Sequence, residues 1–204
     1  MRSRIIGIGY SKTGTSTLRA CFRHFGLCHI GFDIDLTKSV VDGDAQPALD
    51  ALANYEAADN WPWPLIYPQI DNQYPDTRFV LTVRRDSTTW IKSLISQANK
   101  KPDSVYREWV YGHRNPIGNE RELIRRYELH NHDVRRYFAP RPELLLEVCW
   151  ENGSGWPELC RFLELPIPDM PFPHANRSTK PVVSFRRRLG TMLGLSLRRQ
   201  QANR

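Results

Sequence analysis

The stretch IIGIGYSKTGTSTL, residues 5 to 18, constrains this chain more than any other. Its apolar start reads as a buried strand bounded by glycine. A helix-period pattern follows, with Leu18, Cys21, Phe22 and Phe25 on one face until Gly26 stops it. A strand that turns through glycine into a helix start presents unpaired backbone N–H groups and the positive end of the helix dipole. Lys12 adds a full charge, and Thr13, Thr15, Ser16 and Thr17 add hydroxyls. The turn therefore predicts a site for phosphate or sulfate. A plain glycine bend would need neither a lysine nor four hydroxyls.

Further along, residues 45 to 58 read as a helix, and a shorter one runs from Leu65 to Tyr74 after a Pro-rich turn. RFVLTV, residues 78 to 83, is the clearest strand, nearly continuous in apolar residues as a strand covered on both faces should be. Ser87 is expected to cap a helix ending near Ala98, and a long polar helix covers 119 to 138. ELLLEVCW, 143 to 150, is a third strand, followed by a helix in GWPELCRFLEL. Strands alternating with helices predict an α/β, three-layer, P-loop-type domain with a central parallel sheet flanked by helices. A chain of 204 residues can bury one proper core. That domain is placed at 1–183, and a basic tail at 184–204 carries Phe185, Leu189, Met192 and Leu193 at helical spacing. The tail can form an amphipathic helix offering peripheral contact to acidic lipid.

Net charge is +7, from 29 Lys and Arg against 22 Asp and Glu, which suits a polyanionic partner. No stacking-plus-basic module for nucleic acid is present. The four cysteines show no C-x-x-C spacing and read as free thiols. No apolar run is long enough for a signal-peptide core or a membrane span, so a cytoplasmic protein is expected.

Two familiar phosphate loops fail on detail. A nucleotide hydrolase places lysine after the last glycine, in G-x-x-x-x-G-K-[ST]. Here the order is Lys12-Thr13-Gly14. A dinucleotide fingerprint needs a third glycine where Lys12 stands. The strand at 78–83 also ends in Arg84-Arg85, not in the aspartate that would hold magnesium. Two cations repel a metal and suit another phosphate. The pattern fits a nucleotide with two separated anionic groups and no metal.

These residues resemble the sulfotransferases that use 3′-phosphoadenosine 5′-phosphosulfate (PAPS). YSKTGTSTL is similar to their loop P-K-[ST]-G-[ST]-[ST]-x-L, with Ser11 where the family has proline. RFVLTVRRDSTTWIKSL resembles their 3′-phosphate motif, an arginine after a strand with a serine eight residues later, a spacing that Arg85 and Ser93 satisfy. Arg84 doubles the arginine, so either could make the contact, and spacing favours Arg85. The resemblance spans residues 4 to 177 and implies a nucleoside-kinase-like fold. It implies that Lys12 contacts the 5′-phosphosulfate and its bridging oxygen. Ser11, Thr13, Gly14, Thr15, Ser16 and Thr17 would wrap the 5′-phosphate, and Arg85 and Ser93 would hold the 3′-phosphate. The product would be 3′,5′-ADP (PAP). Trp150 stands where relatives place an aromatic against adenine, and Arg177 could come from a late basic loop.

Sulfuryl transfer to a hydroxyl or amine needs a proton acceptor. Asp59 lies before the arginine strand, about where relatives carry their catalytic histidine or acid; it could equally cap the turn before Trp61-Pro62. His29 is the second candidate, from a loop facing the same cleft, with simple packing as its alternative. His130 and His132 are two apart on a predicted helix and cannot pair on a metal. Variable loops at 30–60 and 99–120 would build the acceptor pocket, for a small molecule, lipid or carbohydrate. An ATP-dependent small-molecule kinase and a non-catalytic nucleotide-binding relative are the rival readings.

Overall fold

The structure is a computed structural model that describes residues 3–102 and 104–173. Five parallel strands form its sheet: β1 (Ile5–Gly7), β2 (His29–Ile30), β3 (Ala57–Asp59), β4 (Arg78–Thr82) and β5 (Leu145–Val148), in the order β2-β3-β1-β4-β5. Eight helices accompany them among the described residues: α1 (Thr15–His24), α2 (Ile34–Val41), α3 (Gln46–Leu52), α4 (Tyr67–Gln73), α5 (Ser87–Lys100), α6 (Val105–Tyr111), α7 (Glu120–Phe138) and α8 (Trp156–Leu163). The three-layer α/β expectation holds.

Alternation along the strands builds the layers, because successive side chains in a strand point to opposite faces. Ile6, Ile8, Phe79 and Leu81 pack against α3, α4 and α7 through Leu49, Leu52, Ile70, Val134 and Phe138. Ile5, Ala57, Val80 and Val148 face the other way, onto Leu18, Cys21 and Phe22 of α1 and Leu159, Cys160 and Leu163 of α8. A third cluster caps the carboxyl end of the sheet: Tyr10, Trp61, Trp90, Leu94, Tyr111, Leu123 and Tyr127, drawn from α5, α6, α7 and the turns after β1 and β3.

The helix expected at 45–58 is two elements. It stops at Leu52, and Ala57–Asp59 is a strand between β1 and β2. Two alanines carry no strand signal; they suit this position because both are fully buried in the crowded middle of the sheet. The cap of α5 is Asp86, whose carboxylate accepts the Thr89 N–H at 2.5 Å, and Ser87 is the first helical residue. Much of the two expected variable loops is regular, since α2, α3 and α6 lie within 30–60 and 99–120. The tail at 184–204 lies outside the described residues. No helix among the described residues is long and apolar enough to cross a membrane.

Chain connections leave β1 toward β2 and β3 but leave β4 toward β5. The strand order thus reverses between β1 and β4, and the crevice at their carboxyl ends is where open α/β sheets bind ligands. Backbones approach closely there. A methyl at Gly9 would lie 2.2 Å from Thr82 Oγ1 and 2.3 Å from the Thr82 carbonyl oxygen. Gly9→Ala should therefore lower the unfolding free energy by about 1–3 kcal/mol, as overpacking does, measured as a drop in the urea midpoint with an unchanged slope.

Candidate active site

Residues after β1 form the turn into α1, and two of them have left-handed backbones: Lys12 with φ 78 and Gly14 with φ 104. Alternating hands of this kind point successive N–H groups to one side, forming a concave nest for an anion. The N–H groups of Lys12, Gly14, Thr15 and Ser16 donate to no acceptor among the described residues, whereas Thr17 and Leu18 already donate to the Gly14 carbonyl. The positive end of α1 adds to the attraction. Lys12 is half-buried and forms no ion pair among the described residues. Burial holds its pKa below 10.5, and the cations of Arg84 and Lys100 lower it further.

The loop is held from behind. Thr13 is 1% exposed. Its hydroxyl donates to the Tyr10 carbonyl at 2.6 Å and so accepts from Thr82 Oγ1 at 2.5 Å. Ser11 Oγ donates to Asn60 Oδ1 at 2.6 Å, and Trp90 Nε1–H donates to the Ser11 carbonyl at 3.0 Å. Tyr10 stacks on His130 at 4.2 Å. His130 in turn donates Nε2–H to the Ile8 carbonyl at 2.8 Å, and burial brings its pKa down to about 4, so it is neutral. Trp150 Nε1–H donates to the Gly14 carbonyl at 3.2 Å, and its ring covers Gly14 so closely that a Cβ there would meet Cδ1 at 2.3 Å.

At the end of β4, the Arg84 N–H donates to Tyr127 OH, and its guanidinium lies 3.1 Å from Glu151. Arg84 Nε is buried and has no hydrogen-bond partner among the described residues. Arg85 is more open, with 62% of its side chain exposed. Its Nε donates to Thr89 Oγ1 at 3.3 Å, and its backbone N–H to Glu151 at 3.3 Å. Ser93 sits four residues beyond Thr89 on α5 and is half-buried. Residues four apart share a helix face, so Thr89 and Ser93 lie on one side of α5, and Arg85 reaches that side from the turn before the helix through its contact with Thr89. Beside the arginines a cavity of about 330 Å³ is lined by Val83, Ser87, Tyr127, Asn131 and Asn152 as well.

On the other side of β1, Asp59 ends β3 directly beside Gly7. It is fully buried. Arg19 of α1 reaches both its oxygens at 3.1 and 3.2 Å, and His29 Nε2 lies 2.6 Å from Oδ1. His29 opens the edge strand β2, with 12% of its side chain exposed, and its Nδ1 has no partner among the described residues.

A family model described as a sulfotransferase domain matches residues 4–180. This chain belongs to that family. A relative in Aspergillus versicolor, Ava biosynthesis cluster protein M, is 21% identical over 214 residues, which cover 84% of this chain and 80% of that one. Membership makes the chain a transferase of the sulfuryl-transfer class.

For this sulfotransferase, tertiary contacts divide the loop residues into two groups. The N–H groups of Lys12, Gly14, Thr15 and Ser16 have no acceptor among the described residues, while the Ser11 and Thr13 side chains are spent on holding the loop. Thr15 and Thr17 are buried, and Ser16 is half-buried. Trp150 touches the anion loop itself. Asp59 is not in a connection but in the sheet, and His29 is in a strand and not a loop. Arg177 lies outside the described residues. Sequence reasoning missed Arg19, Thr82, Thr89, Asn60 and Glu151. Only the Arg85-to-Thr89 spacing could have flagged any of them, since the loop's partners Asn60, Thr82, Trp90 and His130 stand 49 to 122 residues from the atoms they hold. Thr82→Val should cost about 1 kcal/mol of stability, the net worth of one hydrogen bond; Thr82→Ser, which keeps the hydroxyl, should recover most of it in urea melts.

Proposed function

We propose that this sulfotransferase takes the sulfuryl group of PAPS and passes it in line to a hydroxyl or amine of an acceptor. The observation that carries the reading is the pair of cationic sites at the switch point: the N–H nest with its unpaired Lys12, and the Arg84-Arg85 turn at the end of the adjacent strand. They suit a ligand with two anionic ends. A metal–ATP site is a poorer fit, because β4 ends in cations and Lys12 precedes Gly14.

PAPS supplies a sulfur bonded to a phosphate oxygen; the acceptor atom bonds to that sulfur as the bridging S–O bond breaks, and the electron pair stays on the phosphate. Lys12 and the N–H groups of Gly14, Thr15 and Ser16 stabilise the charge that grows there, without needing to reorganise. The Arg84-Arg85 turn, with Thr89 and Ser93 on α5, grips the 3′-phosphate. The acceptor's proton goes to His29. Asp59 has both oxygens occupied by Arg19 and His29 and no exposed surface, so its role is to orient the imidazole. The tautomer that donates Nε2–H to Asp59 leaves a lone pair on Nδ1 for the proton. All four cysteines are free, which supports a reducing, cytoplasmic setting.

Calorimetric titration should give saturable binding of 3′,5′-ADP and much weaker binding of Mg-ATP; a preference for Mg-ATP would remove the reading. Lys12→Ala should lower kcat by about 100-fold or more, as loss of a charge-stabilising donor does. His29→Asn should lower kcat on the order of 10²–10⁴-fold, the usual worth of a general base, with affinity for 3′,5′-ADP unchanged. An equal loss of nucleotide affinity would instead make His29 structural.

A further inference from the structure

Two carboxylates pair with the arginines of the crevice: Asp86 Oδ2 lies 3.3 Å from Arg85 Nε, and Glu151 lies against both Arg84 and the Arg85 main chain. Glu151 Oε1 is 3.1 Å from Arg84 Nη2, and Oε2 accepts the Arg85 N–H at 3.3 Å. A guanidinium and a neighbouring main-chain N–H are also the donors a phosphate would use. Asp86 reaches Arg85 alone and has 48% of its side chain exposed, whereas Glu151 contacts both arginines. Arg84 Nε is buried and has no hydrogen-bond partner among the described residues, so the Glu151 contact does not use all of the guanidinium's donors. The turn that carries Glu151, Trp150–Asn152, also reaches the anion loop through the Trp150 bond to the Gly14 carbonyl.

We propose that Glu151 is a built-in competitor for the donor's 3′-phosphate, an anion that lowers nucleotide affinity and so lets product leave. This rests on the PAPS reading above. Both side chains keep some contact with water, 24% of Arg84 and 29% of Glu151, so an incoming anion can reach the pair and exchange with the carboxylate. A phosphate brings more charge and can take two guanidinium donors at once. It displaces the carboxylate, but works against a negative charge that remains on the same short turn.

The test is calorimetry on wild type, Glu151→Gln and Glu151→Ala, with 3′,5′-ADP and with 5′-AMP, which lacks the 3′-phosphate. Both variants should bind 3′,5′-ADP about 5- to 10-fold more tightly, the scale of one partly exposed charge pair, and should bind 5′-AMP about as wild type does. Urea melts of each variant confirm folding. Unchanged or weaker binding of 3′,5′-ADP by the folded variants overturns the proposal and makes Glu151 a support for Arg84. Equal tightening for both nucleotides also overturns it, since the effect would not concern the 3′ end. Wild type that fails to bind 3′,5′-ADP would overturn the donor reading, and this proposal with it.

Discussion

Everything at this site depends on the backbone between Tyr10 and Thr15 staying in a conformation that a free chain would rarely adopt. Lys12 holds a left-handed φ of 78 although it has a Cβ, a state that costs an ordinary residue about 1–2 kcal/mol. Surrounding contacts must over-determine it. Thr82 grips Thr13 from β4, Asn60 grips Ser11 from the end of β3, Trp90 grips the Ser11 carbonyl from α5, and Trp150 closes over Gly14 from beyond β5. Four separate elements thus fix one short turn. Its N–H groups point at a ligand position before any ligand arrives.

Charge follows from that frame. The loop sits at the end of β1 and the arginines at the end of β4, and hydrogen-bonded parallel neighbours lie about 5 Å apart. Lys12 and Arg84 are consequently close enough for the arginine to disfavour the charged lysine, which is the second cause of the lowered lysine pKa after burial. Beneath them lies an aromatic floor, in which Tyr10 contacts Trp61, Trp90, Tyr111 and Tyr127 and stacks on His130. Burial pushes the Tyr10 hydroxyl up to about 12 and keeps His130 neutral, so the floor adds no charge near neutral pH. The cations therefore stand over an uncharged support.

How much of this could be read in the chain differs from element to element. The strand RFVLTV was legible as a short, nearly continuous β-rich apolar run, and the helix at 119–138 because it keeps one period over nineteen residues. Strand β3 was not, since alanine favours helices and only its buried neighbours make it a strand. Helix α2 was hidden in a stretch read as a loop, though Asp33 caps it by accepting the Asp35 and Leu36 N–H groups, a signal present in the sequence. At the site, Lys12 and the arginines could be named from order and spacing. The division of the loop's hydroxyls between ligand and scaffold could not, because a threonine has the same letters whether it faces the crevice or the core.

By itself, then, the amino-acid order determined that a glycine-rich turn bearing a lysine follows the first strand, that a pair of arginines ends a later one, and that the intervening pattern builds a parallel sheet. Those are local properties, set by glycine, charge and periodicity within a dozen residues. Only the tertiary structure decided that Thr13 braces the turn from Thr82, that Arg19 and His29 enclose Asp59, and that Glu151 meets the two arginines. Each of those contacts joins residues 30 to 69 positions apart. The reversal of strand order between β1 and β4 is what brings them to one crevice, and no short stretch of chain carries that information.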